Sequence, residues 1–408
     1  MTALADTVLP LIRSRSDLHR WAAANEHGGQ MHDGIDILEN AIPTTDPAET
    51  YRVAHKALAS AIKVIARADD SSGIIGDACR RLLDLHPRLA NTAHVPAGKL
   101  VPWMITFQFD GDVDYFELDP VAYAPTLGDK GMQTYRAHLE EIRERLAPVP
   151  DADTWRDPHR HERWVLEWND KRLAVLDHDI DAIIRTHAKD RKVAAWLHDT
   201  AKALEEIGET DLAIDWAKQA TDFDRGHQSQ RAAEYWATLI STHRPEYLLT
   251  TREYIFRRWP NASTAARLHA AAGPAWTTYE PAVMAALSNN PSDAVTFTLT
   301  TLNDPQRAWD LAHQLDLTSD HTWDQLVTAY EKIDPIAVLP IHQRLAVNLL
   351  TDANARNYRD AAKRLARMRR LAAGTAHASH VDQLIAELRE THRRRPRLQQ
   401  EFDRARLP

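Results

Sequence analysis

The sequence predicts an all-α chain of antiparallel helix pairs stacked into a solenoid, and three observations lead there. Ala, Leu, Arg and Glu, all good helix formers, dominate the composition. Val and Ile do not fall into alternating runs, and VPWMITFQFD (101–110) is the best strand-like stretch and a short one. Only 13 glycines interrupt 408 residues, while hydrophobic residues make up 44% and include 12 tryptophans, ample material for a buried core.

Taken in order, residues 1–147 read as an N-terminal helical subdomain. ILENAIPTT (37–45) is an amphipathic stretch that ends at Pro43. Val53, Ala57, Ala61, Val64, Ile65 and Ala68 then recur at helical spacing, and this run stops at Asp69, Asp70, Ser71, Ser72 and Gly73. IIGDACRRLLDLHPRL (74–89) supplies the return helix, and VPAGKLVPWMITFQF followed by KGMQTYRAHLEEIRERL (130–146) gives a third pair. The proline- and acid-rich segment 148–158 reads as a linker or loop. Residues 159–408 form a C-terminal helical-repeat array with basic closing helices. Its breaks include Gly208, Asp224 to Gly226, Pro245, Gly273-Pro274, Asn303 to Pro305, Asp334-Pro335 and Gly374, with a spacing too variable for a strict-period array.

Residues 193–223, VAAWLHDTAKALEEIGETDLAIDWAKQATDF, carry two competing readings. His198 and Asp199 followed by Lys202 resemble the HD-x-x-K of a metal phosphohydrolase. The same residues also form a hairpin about Gly208. Trp196, Leu197, Ala201 and Leu204 share a face on the first helix, and Ala213, Trp216, Ala217 and Ala220 share one on the second. Small residues let two helices approach closely while tryptophan covers the seam. A metal site needs several converging ligands, and no downstream acid is marked as one. The hairpin is preferred, with His198 and Asp199 off the apolar face or at its edge. It is similar to a tetratricopeptide hairpin, so the predicted architecture is a tetratricopeptide-like α-solenoid.

Other stretches extend the likeness. Asp69 to Gly73 resembles an acidic Asp-Asp-Ser-x-Gly turn, and FELDPVAYAPTLGDKGMQTYRAHLEE (116–141) a loop into a Leu-Gly-x-x-Gly-x-x-x-Tyr-Arg helix. GETDLAIDWAKQATDF (208–223) is similar to a Gly-x-x-x-x-Ala-x-x-Trp-Ala repeat; NYRDAAKRLARMRRLA and the final helices resemble closing helices. Together these resemble the helical-repeat region of unknown function found with bacterial SWIM zinc-finger proteins. The resemblance implies the helical fold. A SWIM finger needs C-x-C and C-x-H, and a chain whose one cysteine is Cys79 cannot build it.

Chemistry-bearing patterns are sparse. His27 and His32 flank two glycines in NEHGGQMHDG, a loop able in principle to hold a metal, but solvated or capping histidines are the plainer account. His159 and His161, two apart on a helix, point in different directions. Asp177, Asp179 and Asp181 echo a calcium loop, yet Ala182 and Ala188 occupy the places of its glycine and bidentate glutamate. An acidic helix start accounts for them better. Asp69 to Gly73 offers acids and hydroxyls to a basic partner, or more simply a cap by Ser71 or Ser72 on the next helix. No phosphate-binding glycine loop or G-x-S-x-G elbow occurs, and Cys79 sits in an amphipathic run where a packed thiol is the default. No catalytic, cofactor-binding or metal residues are expected.

Net charge is −8, but residues 353–408 hold 14 Lys and Arg against 6 Asp and Glu, leaving −16 on the rest by difference. The balance removes any global attraction to nucleic acid or anionic membrane, while the asymmetry marks a local interaction surface. Lys363, Arg364, Arg367, Arg370, Arg393, Arg394 and Arg395 are the candidate contacts to phosphate or to a partner. A single cysteine, no secretory leader pattern and no apolar run of about 18 residues predict a cytoplasmic chain with no membrane partner. The sequence therefore predicts a non-enzymatic scaffold that binds a protein or peptide through a concave surface. The alternatives are a nucleic-acid-associated protein working through the basic closing helices and, behind it, the HD-type hydrolase.

Overall fold

The computed structural model describes residues 3–111, 113–146 and 157–408. Among these every regular element is helical, and the one β-type pairing is an isolated bridge between Leu18 and Ala68. The chain forms two compact units, Met1–Ala220 and Thr221–Pro408.

The first unit contains α1 (Ala3–Ile12), α2 (Trp21–Ala41), α3 (Pro47–Ile65), α4 (Ile74–Thr92), α5 (Ala97–Phe109), α6 (Pro120–Arg145), α7 (Arg160–Leu176), α8 (Ile180–Ile183), α9 (Ala194–Glu206) and most of α10 (Thr210–Asp222). A π-helical turn, Ile184–Ala188, follows α8. Helices α1 to α4 close one core, and α4 to α7 a second in which Leu139 and Ile142 of α6 meet Leu166 and Leu173 of α7. That shared core joins the helices on either side of 148–158, most of which lies outside the described residues, so 159–220 pack with the N-terminal helices.

The second unit contains α11 (His227–His243), α12 (Leu248–Arg258), α13 (Ala262–Ala272), α14 (Trp276–Leu287), α15 (Pro291–Thr300), α16 (Pro305–Gln314), α17 (Asp320–Tyr330), α18 (Leu339–Thr351), α19 (Ala355–Ala372), α20 (Ala378–Thr391) and α21 (Pro396–Arg404). Three successive cores run through it, from α12 to α16, α15 to α18, and α18 to α21. In each unit a helix packs on the next one or two in sequence, the local connectivity expected of stacked repeats.

The punctuation read from the sequence marks helix ends. Asp304 caps α16 by accepting a hydrogen bond from the Arg307 amide at 2.9 Å, with Pro305 at the first helical position. Asn261 and Thr264 form a capping box on α13. Gly208, at φ +86°, turns α9 into α10.

The stretch 101–109 lies in α5, the first helix of the third pair, where Leu100, Val101, Met104 and Gln108 are buried at helical spacing despite its β-type composition. Two local expectations are corrected, the second of them in part. NEHGGQMHDG is no loop but the middle of α2. Its glycines thin the helix at crossings: a Cβ on Gly28 would lie 2.5 Å from Ile74 Cγ2, and one on Gly34 would lie 3.1 Å from Leu11 Cβ. The cap of α4 comes mainly from Asp70, whose carboxylate accepts from the Ile75 and Gly76 amides at 2.9 and 2.8 Å, while Ser72 Oγ accepts from the Ile74 amide at 3.5 Å.

Gly28→Val is expected to lower stability to chemical denaturation by about 1–3 kcal/mol through overpacking. Gly29→Ala, whose added methyl meets nothing within 4 Å, is expected to raise it by up to about 1 kcal/mol. A Gly28→Val variant as stable as the parent contradicts the close crossing.

Candidate functional site

The site is built around α19. Its Ala361, Ala362, Leu365, Met368 and Ala372 are buried against neighbouring helices. At 100° per residue this leaves Lys363, Arg367 and Arg370 on the opposite stripe, at i, i+4 and i+7. Along that stripe lies a groove of about 1220 Å³, walled by Asp324 of α17, His342 of α18, Asp382 of α20 and Arg406 after α21. Of the seven basic residues singled out in the sequence, Lys363, Arg364, Arg367 and Arg370 line it, while Arg393, Arg394 and Arg395 do not.

Most of this positive charge is already committed. Arg364 donates to Asp324 at 2.5 Å and to His342 Nδ1 at 3.1 Å. Arg367 forms a two-pronged pair with Glu331, both contacts at 2.6 Å, which holds the Glu331 carboxyl below its ordinary range. Arg369 pairs with Asp382 at 2.7 Å and also donates to the Arg406 carbonyl at 3.2 Å. Lys363 lies 4.0 Å from Asp360, at the limit of an ion pair. Arg393 pairs with Glu390, and Arg395 donates to the Leu350 carbonyl at 2.6 Å. Among the described residues the guanidinium groups of Arg370 and Arg406 have no acidic partner.

His342 stands at the groove wall fully buried. Because Nδ1 faces an Arg364 donor, the ring is read as neutral with its proton on Nε2, and that atom is buried without a partner, as is Arg364 Nε. Burial, then the charges of Arg364 and Arg367, push its pKa down to about 4.

Sequence reasoning missed two buried polar networks in the first unit. Tyr123 Oη and His86 Nδ1 lie 2.8 Å apart, and His86 Nε2 lies 3.0 Å from His55 Nδ1. Trp103 packs against both imidazoles. Burial, followed by the neighbouring His55, lowers the His86 pKa to about 3. Beside it, Gln108 donates to Tyr135 Oη at 2.8 Å, Tyr135 donates to Asn169 Oδ1 at 2.6 Å, and Asn169 donates back to Gln108 Oε1 at 3.1 Å. The available signal was position: His86 falls with Leu82, Leu85 and Leu89 on the buried face of α4. Burial raises the pKa of the Tyr123 hydroxyl, which keeps it protonated beside His86.

The remaining candidates separate. His198 is buried at the edge of the apolar face of α9, while Asp199 is exposed and off it. His32 is spent on the Ile74 carbonyl at 3.2 Å and on Arg81, and His161 on the Gln108 carbonyl at 2.8 Å. Asp177 pairs with Arg136, while Asp179 caps α8. Cys79 is buried, which raises its thiol pKa to about 12. Among the described residues no cluster of three or more His, Cys, Asp or Glu is arranged to hold a metal ion, and no helix is long and apolar enough to cross a membrane.

Burial also pushes His187 down to about 4. Unfolding returns His86, His187 and His342 towards 6.5, so the unfolded chain binds protons first. The stability these neutral rings contribute is complete above about pH 6.5 and is lost as pH falls from there towards 4. The urea midpoint is expected to drop between about pH 7 and about pH 5, by up to about 1.4 kcal/mol per pH unit for each histidine. A midpoint constant over that range contradicts their burial.

No curated protein matches the chain. Among solved structures it is similar to one described as a circular tandem repeat protein with novel repeat topology and enhanced subunit contact surfaces. That likeness covers 98% of this chain and 93% of the other, at 10% identity and a TM-score of 0.16. Residues 7–398 match the family of unknown function DUF6880, and the chain belongs to that family.

Proposed function

We propose that the protein is a non-enzymatic helical-repeat scaffold that holds a protein or peptide partner, and that the partner lies in the groove along α19. The observation that supports this most is the groove itself. Its volume of about 1220 Å³ is in the range of large ligand clefts. It combines an apolar strip, including Leu349, Ala366 and Leu407, with charged walls. The closely held polar networks of the first unit read as architecture, since Tyr123, His86, Tyr135, Asn169 and Gln108 are all buried. On the sequence likeness given above, we take the chain to be related to the region that accompanies bacterial SWIM zinc fingers, and to work in the cytoplasm.

A phage-displayed library of random peptides, panned against the full chain, tests the reading. Enriched peptides are expected to lose about tenfold or more in affinity, about 1.4 kcal/mol, when the exposed groove residue Ala373 is replaced by Trp. No enriched peptide, or peptides indifferent to Ala373→Trp, contradicts the groove as the binding surface.

A further inference from the structure

We infer that the groove is selective for acidic peptides, and that an extended segment carrying two carboxylates three residues apart is its preferred occupant. This rests on the peptide-scaffold reading and adds the partner's chemistry.

The inference follows from which charges the fold leaves over. Asp324, Glu331 and Asp382 are each taken up by Arg364, Arg367 and Arg369 respectively, with contacts of 2.5 to 2.7 Å. Asp360 is shared loosely by Arg356 at 3.9 Å and Lys363 at 4.0 Å. Three cations of the same groove therefore remain weakly matched or unmatched: Lys363, Arg370 and Arg406.

Spacing separates the possible anions. Lys363 and Arg370 are seven residues apart on one helical stripe, a rise of about 10 Å. That suits two separate negative groups better than a single phosphate. An extended peptide in the polyproline II conformation has three residues per turn and rises about 3.1 Å per residue, so carboxylates three residues apart share a face and span about 9 Å. The groove also offers Leu349, Ala366 and Leu407 to apolar side chains of the occupant. A nucleic-acid strand fits less well. No Phe, Tyr or Trp side chain lines the groove to stack a base.

The test is fluorescence polarisation with the full chain and fluorescein-labelled octaglutamate, which presents carboxylates at every spacing. A neutral Gly-Ser peptide of equal length and a labelled oligothymidylate are the comparators. Octaglutamate is expected to bind in a salt-sensitive manner and the Gly-Ser peptide not to bind. The Arg370→Glu, Arg406→Glu double variant is expected to weaken octaglutamate about tenfold or more, the size of two lost charge-assisted contacts. Neither guanidinium has an acidic partner to forfeit, and circular dichroism of the variant confirms that it folds. Arg394→Glu, a cation outside the groove, is expected to leave binding unchanged.

Absent octaglutamate binding, or binding untouched by the double variant, overturns the inference. Oligothymidylate binding more tightly through Arg370 and Arg406 overturns it in favour of nucleic acid. If library peptides that bind the groove are neutral, acid selectivity fails while the peptide scaffold stands; if no peptide binds at all, both fail.

Discussion

The close approach of helix on helix across alanine and glycine seams is the constraint on which the rest of this structure depends. Ala57, Ala61, Ala78, Ala213, Ala217, Ala232, Ala237, Ala361 and Ala312 all have their surface wholly withdrawn from water. A methyl group is small enough to bring two backbones together and leaves no rotamer entropy to lose. Large aromatic residues then close the edges. Trp323 donates to the Leu317 carbonyl at 2.7 Å, Trp259 to Arg225 at 3.0 Å and Trp168 to Leu118 at 2.8 Å. Each indole thus fastens its helix to an earlier loop while burying a large apolar surface, satisfying the one polar group it carries.

The groove follows from the same constraint. Because α19 spends Ala361, Ala362, Leu365, Met368 and Ala372 on its seams, Lys363, Arg367 and Arg370 fall on the other side. The neighbouring helices supply acids for Arg364, Arg367 and Arg369 but none for Arg370. Of the net charge of +8 on the last 56 residues, Asp324 and Glu331 outside that segment take up two, and within the groove the cations left for a partner are Lys363, Arg370 and Arg406. Such pairing is worth little at exposed positions and more where one partner is shielded, as with Arg364 and Glu331.

The hairpin about Gly208 was legible because two signals agreed: apolar residues at helical period on both sides, and a glycine where the chain needs a positive φ. Where one signal stood alone, it misled. The glycine pair 28–29 looks like a turn, yet Gly28 serves a helix crossing whose partner, Ile74, is 46 residues away. The exposed face of α5 carries Lys99, Pro102 and Thr106, of which only Lys99 is charged, so its helical period shows weakly in the sequence. Ser71 and Ser72 are good capping residues, but Asp70 reaches the two free amides first. The basic block was visible as charge; its division into paired and unpaired members depends on Asp324, Glu331 and Asp382, which only folding brings near. His86, Tyr123 and His55 come from three helices, and only the apolar face shared by His86 hinted at burial.

The seam claim is tested most directly by comparing two alanine-to-leucine changes in one helical unit by chemical denaturation. Ala361 faces a neighbour and is fully buried, whereas Ala386 of α20 is exposed. Ala361→Leu is expected to cost about 1–3 kcal/mol and Ala386→Leu to stay within about 0.5 kcal/mol of the parent. Two variants of equal stability would contradict the account.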